Sequence, residues 1–333
     1  MQKSIVGTDA LYFCTPPIQS AKATLLPTGS AELTDLTVKC TKGSSTRQPS
    51  SSSSWAIYRR TTSFVCSTFP LEFSYGNLTF TIHAIMKLII TGASGFVATE
   101  LIRQSLKRPD ITAVVALSRK AVSPPSDAGA NASKLRSVVV KDYDEYPEDV
   151  RKEFEGASAC IWTVAITPTK SRLHDFNYVK KICQEGTELG LKTMYESRPA
   201  KPFRFLYMSG VGAVRSRDQT PQWMPEYSWM RGETENRILA FAAAHPGEVE
   251  ASTVKPGSIV TPGRPITTIF AKVANQLGMV SYIDLGVIAT AMLEQVINGF
   301  DSDALLMDDL KRIAAEKGVV PSPGKPEFVE PDA

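Results

Sequence analysis

Residues 86–98 read Met-Lys-Leu-Ile-Ile-Thr-Gly-Ala-Ser-Gly-Phe-Val-Ala. An apolar strand ends at Thr91 and runs directly into a helix through Gly92, Gly95 and Ala98. Gly92 can adopt the backbone angles of a sharp turn, and Gly95 lets a pyrophosphate approach the backbone. The free N–H groups at the start of the helix then attract that anion. The stretch predicts a dinucleotide-binding turn, although an ordinary strand–turn–helix with incidental glycines is the alternative. The predicted contacts are Gly92, Ser94, Gly95, Phe96 and Val97.

Short apolar segments alternate with helical periodicity from Met86 onward. The predicted strands are 87–91, 112–118, 136–140, 158–164, 203–209 and 250–256, and the predicted helices are 95–107, 172–189, 227–244, 266–276, 284–298 and 303–317. This alternation predicts an α/β protein with a doubly wound parallel sheet in residues 86–318. We expect a small, mainly helical C-terminal part, about 258–318, to cap the substrate, and residues 319–333 to form a disordered tail.

Residues 1–85 differ in composition from the rest of the chain. They are rich in Ser and Thr and lack helical or alternating periodicity, which predicts a low-complexity, disordered leader. We expect the working protein to begin at Met86. An organelle-targeting segment is the alternative, although the first twenty residues hold one basic residue, Lys3. The predicted location is therefore the cytoplasm, with the mitochondrion as the alternative if the leader is real.

Charge and cysteine usage narrow the possible partners. Residues 1–85 hold seven of the 37 basic and four of the 34 acidic residues, so residues 86–333 are balanced at 30 of each. That balance argues against nucleic acid as a partner. The five cysteines and three histidines show no metal-ligand spacing, and no apolar run is long enough for a membrane span. We expect reduced thiols, no metal, no membrane contact and a small-molecule substrate, with an oligomer possible.

Several segments of the chain together resemble the short-chain dehydrogenases/reductases. The segments, in chain order, are 91–98, 204–209, 227–235, 255–258 and 282–289. Their order and spacing resemble the extended or atypical members, which include nucleotide-sugar epimerases and NmrA-like proteins. The resemblance implies a Rossmann fold over about residues 86–300. It fixes no substrate.

Cofactor choice depends on the end of the second predicted strand. NAD binders usually carry an acid there for the ribose 2′-hydroxyl, but this strand ends in Ser118-Arg119-Lys120. A guanidinium can bind a 2′-phosphate, so we expect NADP(H) rather than NAD(H), with Arg119 as the contact unless it lies in a solvated loop. The resemblance further implies cofactor contacts at Asp142, Thr163, Val164, Ala165, Pro256 and Ser258.

A catalytic pair is implied by Tyr227-Ser-Trp-Met-Arg231, which stands where the family has Tyr-x-x-x-Lys. Residues four apart share a helix face. In the family the tyrosine exchanges a proton with the substrate, and the cation binds the nicotinamide ribose. Here Arg231 keeps the positive charge of the lysine but carries a wide, planar guanidinium in place of a compact ammonium. Glu235, one turn later, is a candidate partner for it. Ser209 stands near the family's catalytic serine, although the usual Ser-Ser pair is missing. An ordinary exposed helix pair is the alternative for Tyr227 and Arg231.

Three functions remain open from the sequence. The first is an NADPH-dependent oxidoreductase acting on a carbonyl or alcohol of a small, apolar metabolite. The second is a non-catalytic NADP(H)-binding regulator of the NmrA-like type, which the arginine and the missing serine favour. The third is a nucleotide-sugar epimerase or dehydratase, which ranks last because the C-terminal half has no basic cluster suited to a diphosphate.

Overall fold

A computed structural model describes residues 85–221, 223–262 and 282–319, together with short strand segments elsewhere. Residues 1–84 form a unit of their own. Its described parts are strands β1 (Ala21–Thr24), β2 (Asp35–Lys39), β3 (Ser54–Tyr58), β4 (Leu71–Tyr75) and β5 (Leu78–Ile82). Strand β4 pairs with β1 and β5, and β2 pairs with β3. Most of the predicted leader lies outside the described residues, so its disorder stays a prediction.

Seven strands of the second unit form one parallel sheet. They are β6 (Met86–Thr91), β7 (Ile111–Ser118), β8 (Leu135–Val139), β9 (Ala159–Trp162), β10 (Phe203–Met208), β11 (Val249–Val254) and β14 (Ala304–Leu305). Their order is β14-β11-β10-β9-β6-β7-β8. The chain order reverses between β6 and β9, and the crevice at the carboxyl ends of these strands is where doubly wound folds bind ligands.

Helices cover both faces of this sheet. One face carries α1 (Phe96–Lys107), and the other carries α2 (Glu148–Phe154), α5 (Gly186–Glu196) and α6 (Pro225–Ala244). Short helices α3 (Pro168–Ser171) and α4 (Phe176–Lys180) follow β9, and a π-helical turn over Lys181–Glu185 joins α4 to α5. Most of the buried strand side chains are apolar, as expected of a parallel sheet covered on both faces. The predicted α/β doubly wound fold is confirmed.

The C-terminal part adds α7 (Leu285–Asn298) and α8 (Met307–Glu316), with β12 (Ser258–Pro262) pairing with β13 (Tyr282–Asp284) and β15 (Pro326–Glu327). Helix α7 is nearly all buried and packs with α1 and α8 in one core cluster. It therefore forms part of the layer that covers this face of the sheet, and the substrate-capping role expected of residues 258–318 stays a prediction. The predicted helix 266–276 lies outside the described residues, as does most of the tail 319–333.

Two predicted helices had wrong boundaries. The helix expected at 172–189 begins only at Phe176, because the Asp175 carboxylate caps it by accepting from the Asn177 N–H at 2.9 Å. It then continues through the π turn to Glu196, because Gly190 packs directly against the Trp162 ring. The helix expected at 303–317 begins at Met307, after the edge strand β14.

Candidate active site

The glycine turn is held rigidly at the end of β6. Gly92 has φ +65°, and a Cβ there would lie 2.7 Å from the Thr163 hydroxyl oxygen. That hydroxyl donates to the Thr91 carbonyl at 2.6 Å, and the Thr163 N–H donates to the Thr91 hydroxyl at 3.2 Å. Gly95 donates its N–H to the Gly92 carbonyl at 2.7 Å, and a Cβ on Gly95 would lie 2.9 Å from that oxygen. Both glycines are therefore required by the close backbone approach.

Helix α1 begins at this turn with the properties of an anion-binding site. Its N-cap is Gly95, which offers no side chain to the first N–H groups, and the first turn holds no acid. The opening N–H groups of a helix have no partner within it and carry partial positive charge. Ser94 is exposed beside them, whereas Phe96 is half-buried and Val97 is buried. The predicted turn residues thus lie together at the reversal point of the sheet.

The side of the crevice next to β7 carries the predicted adenosine contacts. Arg119 is exposed directly after the strand, while the Ser118 hydroxyl donates to the Lys120 carbonyl at 2.5 Å. Asp142 follows β8 and accepts the N–H of Tyr143 at 2.8 Å. Tyr143 itself, which belongs to no motif of the sequence, reaches the glycine turn with its hydroxyl. Its position immediately after Asp142 is the only sequence signal that could have indicated it.

Tyr227 lies across the crevice on α6. Its hydroxyl donates to the Ile166 carbonyl at 2.9 Å, in the loop that continues from Thr163, Val164 and Ala165 at the end of β9. The side chain is 9% exposed. Burial raises the pKa of the phenol, and the charge of Arg231 partly opposes that rise. Tyr227 is therefore a neutral hydroxyl at physiological pH, positioned beside the same strand ends as the glycine turn.

Arg231 is a buried cation one turn further along α6. Its Nη2 donates to the Met208 carbonyl at 2.6 Å, and its guanidinium carbon lies 4.8 Å from the centre of the Tyr207 ring. Its Nη1 is buried without a hydrogen-bond partner among the described residues. Burial by itself would lower the pKa of Arg231, but Tyr207, Tyr227 and Cys183 raise it, so the charge is retained. Tyr227 and Arg231 are thus a buried pair and differ from the exposed pair that was the alternative.

Ser209 and Glu235 belong to a separate buried network. The Ser209 hydroxyl donates to the fully buried Glu235 carboxylate at 2.5 Å. That carboxylate also accepts from Arg215 at 2.6 Å and from Lys255 at 3.2 Å. Glu235 therefore pairs with these two cations, in contrast to the expected pairing with Arg231. The Ser209 hydroxyl is directed at this network and does not extend toward Tyr227.

The loop after β11 borders the same edge of the sheet. The Pro256 carbonyl accepts the N–H of Val211, which ties this loop to the one after β10 at 2.9 Å. Gly257 donates its N–H to the Met307 sulfur at 3.2 Å, and Ser258 begins β12. Pro256 is buried and Ser258 is half-buried. These two predicted contacts thus lie on the far side of β10 from the glycine turn.

The residues fit a dinucleotide on two structural observations. A Cβ at Gly92 would lie 2.7 Å from the Thr163 hydroxyl oxygen and one at Gly95 2.9 Å from the Gly92 carbonyl oxygen, so neither position tolerates a side chain. The first N–H groups of α1 have no side-chain cap and no acid beside them. Within residues 85–221, 223–262 and 282–319, no group of three His, Cys, Asp or Glu side chains could hold a metal ion. Across the part of the chain that the structure describes, no helix is long and apolar enough to cross a membrane.

Comparison with known proteins supports the fold. No family model matches the chain, and no curated protein matches it. Among solved structures, UDP-glucose 4-epimerase from Thermotoga maritima is 11% identical with a TM-score of 0.50, covering 73% of this chain and 89% of that one. Vestitone reductase from alfalfa is 16% identical with a TM-score of 0.49 over 73% of this chain and 89% of that one. MoeE5, in complex with UDP-glucose and NAD, is 17% identical with a TM-score of 0.49 over 71% and 83%. The similarity to the Thermotoga maritima structure supports the predicted Rossmann fold alone, and the resemblance to extended short-chain dehydrogenases/reductases stays a prediction.

Proposed function

We propose that this chain is an NADPH-dependent oxidoreductase that acts on a carbonyl or alcohol of a small, apolar metabolite. The observation that carries the proposal is the position of Tyr227. Its hydroxyl contacts the backbone just beyond the end of β9, and β9 pairs with β6, the strand that ends in the glycine turn. A proton donor and a dinucleotide cradle therefore share one crevice.

The cofactor contacts follow from the strand ends. The N–H groups at the start of α1 bind the pyrophosphate, and Thr163, Val164 and Ala165 lie along the ribose and nicotinamide. Arg119, exposed after β7, binds a 2′-phosphate, which favours NADP(H) over NAD(H). Asp142, Pro256 and Ser258 complete the proposed contacts. Bound NADPH would supply the hydride.

The phenol of Tyr227 suits proton donation in the direction of reduction. Because burial raises its pKa, the hydroxyl is protonated at neutral pH and can give its proton to the oxygen of a reduced carbonyl. The retained charge of Arg231 opposes that rise and so stabilises the phenolate left behind. To act in this way, Tyr227 must exchange its hydrogen bond with Ile166 for one to the substrate.

A non-catalytic NADP(H)-binding regulator is the second candidate, and one contact favours it. The Ser209 hydroxyl is used by Glu235, so the family's third catalytic group has no free counterpart at this position. A regulator would bind the dinucleotide in the same cradle without turnover. A nucleotide-sugar epimerase or dehydratase remains third, because no diphosphate-binding cluster has been identified for it.

The test is turnover by the purified full-length chain with NADPH and NADH against a panel of apolar carbonyls, with UDP-sugars as a separate arm. The Tyr227→Phe variant should lose about 10²–10⁴-fold in rate, as expected when a general acid is removed. Tyr178→Phe is the matched control, because Tyr178 is 41% exposed, and it should keep full rate. Full turnover by Tyr227→Phe would reject the role of Tyr227. Tight NADP(H) binding with no turnover on any substrate would support the regulator instead.

Arg119→Ala tests the choice of cofactor separately. The loss of a charge-assisted contact to a phosphate should weaken NADPH binding by roughly ten- to a hundredfold and leave NADH binding unchanged. An equal effect on both cofactors would contradict a 2′-phosphate contact. The proposal keeps a small molecule as the partner, without nucleic acid or membrane, and a cytoplasmic location.

A further inference from the structure

The Tyr143 hydroxyl bridges two neighbouring strand ends at the crevice. It accepts the N–H of Gly92 at 3.2 Å and donates to the carbonyl of Leu117 at 3.3 Å. Gly92 begins the turn after β6, and Leu117 is the penultimate residue of β7. One hydroxyl therefore satisfies the first amide of the glycine turn while holding it against the strand that leads to Arg119.

The ring of Tyr143 is fixed by its surroundings. The residue is 5% exposed and packs edge-on against Trp162, at the end of β9, with the ring centres 5.8 Å apart. Its own N–H is bound to the Asp142 carboxylate after β8. Tyr143 thus contacts residues at the carboxyl ends of β9, β6, β7 and β8. The hydroxyl has little freedom to leave the Gly92 amide.

The hydroxyl also stays protonated, as the bond to Leu117 requires. Burial raises the pKa of Tyr143 to about 12, although the Gly92 hydrogen bond and the charge of Arg119 act in the opposite direction. At physiological pH the group is therefore both an acceptor for Gly92 and a donor to Leu117.

The Gly92 amide matters because the shape of the turn depends on it. A phenylalanine at position 143 would keep the packing but leave this amide without its acceptor. The loss of such a hydrogen bond shifts the equilibrium between the two shapes of the turn by roughly tenfold. In part of the population the turn would rotate to hydrate its amide, which lowers the fraction in the shape that accepts a pyrophosphate. Apparent affinity falls by the fraction of the competent state.

We propose that Tyr143 is a positioning residue that latches the glycine turn in its nucleotide-binding shape. It acts through Gly92 and so affects every ligand that carries the shared pyrophosphate. This role rests on the proposed function, since it requires that the turn binds a dinucleotide. It differs from the role of Arg119, which concerns the 2′-phosphate alone.

The test compares Tyr143→Phe with Tyr146→Phe in the full-length chain. Tyr146 is the matched control, because its hydroxyl is also buried but has no hydrogen-bond partner among the described residues. Calorimetric titrations with NADP⁺, NAD⁺ and ADP give the three dissociation constants. Tyr143→Phe should raise all three by one similar factor of at most about ten, with kcat at saturating NADPH unchanged, while Tyr146→Phe should leave them at the wild-type values.

Three results would overturn the latch. The first is that Tyr143→Phe binds all three ligands with the wild-type affinities. The second is that Tyr146→Phe loses as much affinity as Tyr143→Phe. The third is that Tyr143→Phe loses affinity for NADP⁺ alone. If Tyr143→Phe does not fold, hydrogen exchange of the wild-type Gly92 amide decides. The latch requires slow exchange without nucleotide, comparable to the β6 amides, and fast exchange refutes it. A wild-type chain that binds none of the three ligands, with a protected Gly92 amide, would reject the proposed function instead.

Discussion

Replacing Glu235 with glutamine should destabilise the Rossmann unit far more than the loss of an exposed charge on α6. The carboxylate is fully buried and holds three groups from different parts of the fold. Arg215 and Ser209 belong to the strand end and loop after β10, and Lys255 lies at the end of β11. The substitution removes the negative charge and leaves both partly buried cations beside a neutral amide.

The expected loss in the free energy of unfolding depends on the partners that Arg215 and Lys255 retain. Removing one partner of a buried ion pair costs about 3–5 kcal/mol. Arg215 retains Asp303, and Lys255 retains the Ala213 carbonyl, so we expect the lower end, about 3 kcal/mol. In a unit of this size that corresponds to a melting temperature lower by roughly 6–12 °C. Glu233→Gln is the matched control, because its pair with Arg237 is exposed on the same helix and is worth about 0.5 kcal/mol.

Urea unfolding followed by circular dichroism gives the free energy of unfolding of the three proteins by linear extrapolation. The slopes with urea should agree, since neither substitution changes the surface exposed on unfolding. A loss in Glu235→Gln within about 0.5 kcal/mol of the Glu233→Gln loss would refute the reasoning, because it would mean that the buried network contributes no more than a surface pair.

Two further predictions test the packing of α6 and the titration of the crevice. Gly232→Ala should lower the free energy of unfolding by about 2 kcal/mol even after the gain in helix propensity, because its Cβ would lie 1.9 Å from the Val214 carbonyl oxygen. Gly212→Ala is the control, since a Cβ there would meet open space. Equal stability of the two variants in urea unfolding would contradict the prediction. The folded pKa of Tyr143, about 12, lies above the ordinary value near 10, so its contribution of about 3 kcal/mol is complete below pH 10 and is lost as the pH rises to 12. Between pH 9 and 11, the free energy of unfolding should therefore fall more in the wild type than in Tyr143→Phe. Parallel plots of this free energy against pH would contradict the prediction, because they would mean that Tyr143 has the same pKa in the folded and the unfolded chain.

The parts of the fold that the sequence predicted are those set by local pattern. Apolar runs indicated six strands of the sheet, and the glycines after Thr91 indicated the turn, because both depend on neighbouring residues. The end of α5 was misplaced because Gly190 reads as a helix breaker, whereas in the structure its lack of a side chain makes room for Trp162. The two-residue strand β14 is too short to give a pattern.

The same distinction between local pattern and distant contacts applies to the candidate site. Tyr227 and Arg231 were predicted because the stretch resembles the family's Tyr-x-x-x-Lys, and residues four apart share a helix face. The partners of Glu235 were not, because Arg215 and Lys255 are each 20 residues away along the chain and meet it only through the order of the strands. The hydrogen bond between Tyr143 and Gly92 spans 51 residues for the same reason. Contacts of this kind depend on topology and leave no spacing in the sequence.

On the proposed function, helix α6 links the stability of the fold to the chemistry of the crevice. Three successive turns of α6 contact different parts of the fold. Tyr227 contacts the loop after β9, Arg231 contacts the end of β10, and Gly232 packs against the loop after β10. Glu235 binds Arg215 and Lys255. A rigid helix cannot shift at Gly232 without moving the Tyr227 hydroxyl relative to Ile166. Substitutions at Gly232 and Glu235 should therefore be non-additive in stability, since both act on the contact between α6 and the 213–215 loop. For the same reason each should lower turnover more than its distance from the crevice would suggest, because small misplacements of a proton donor are costly.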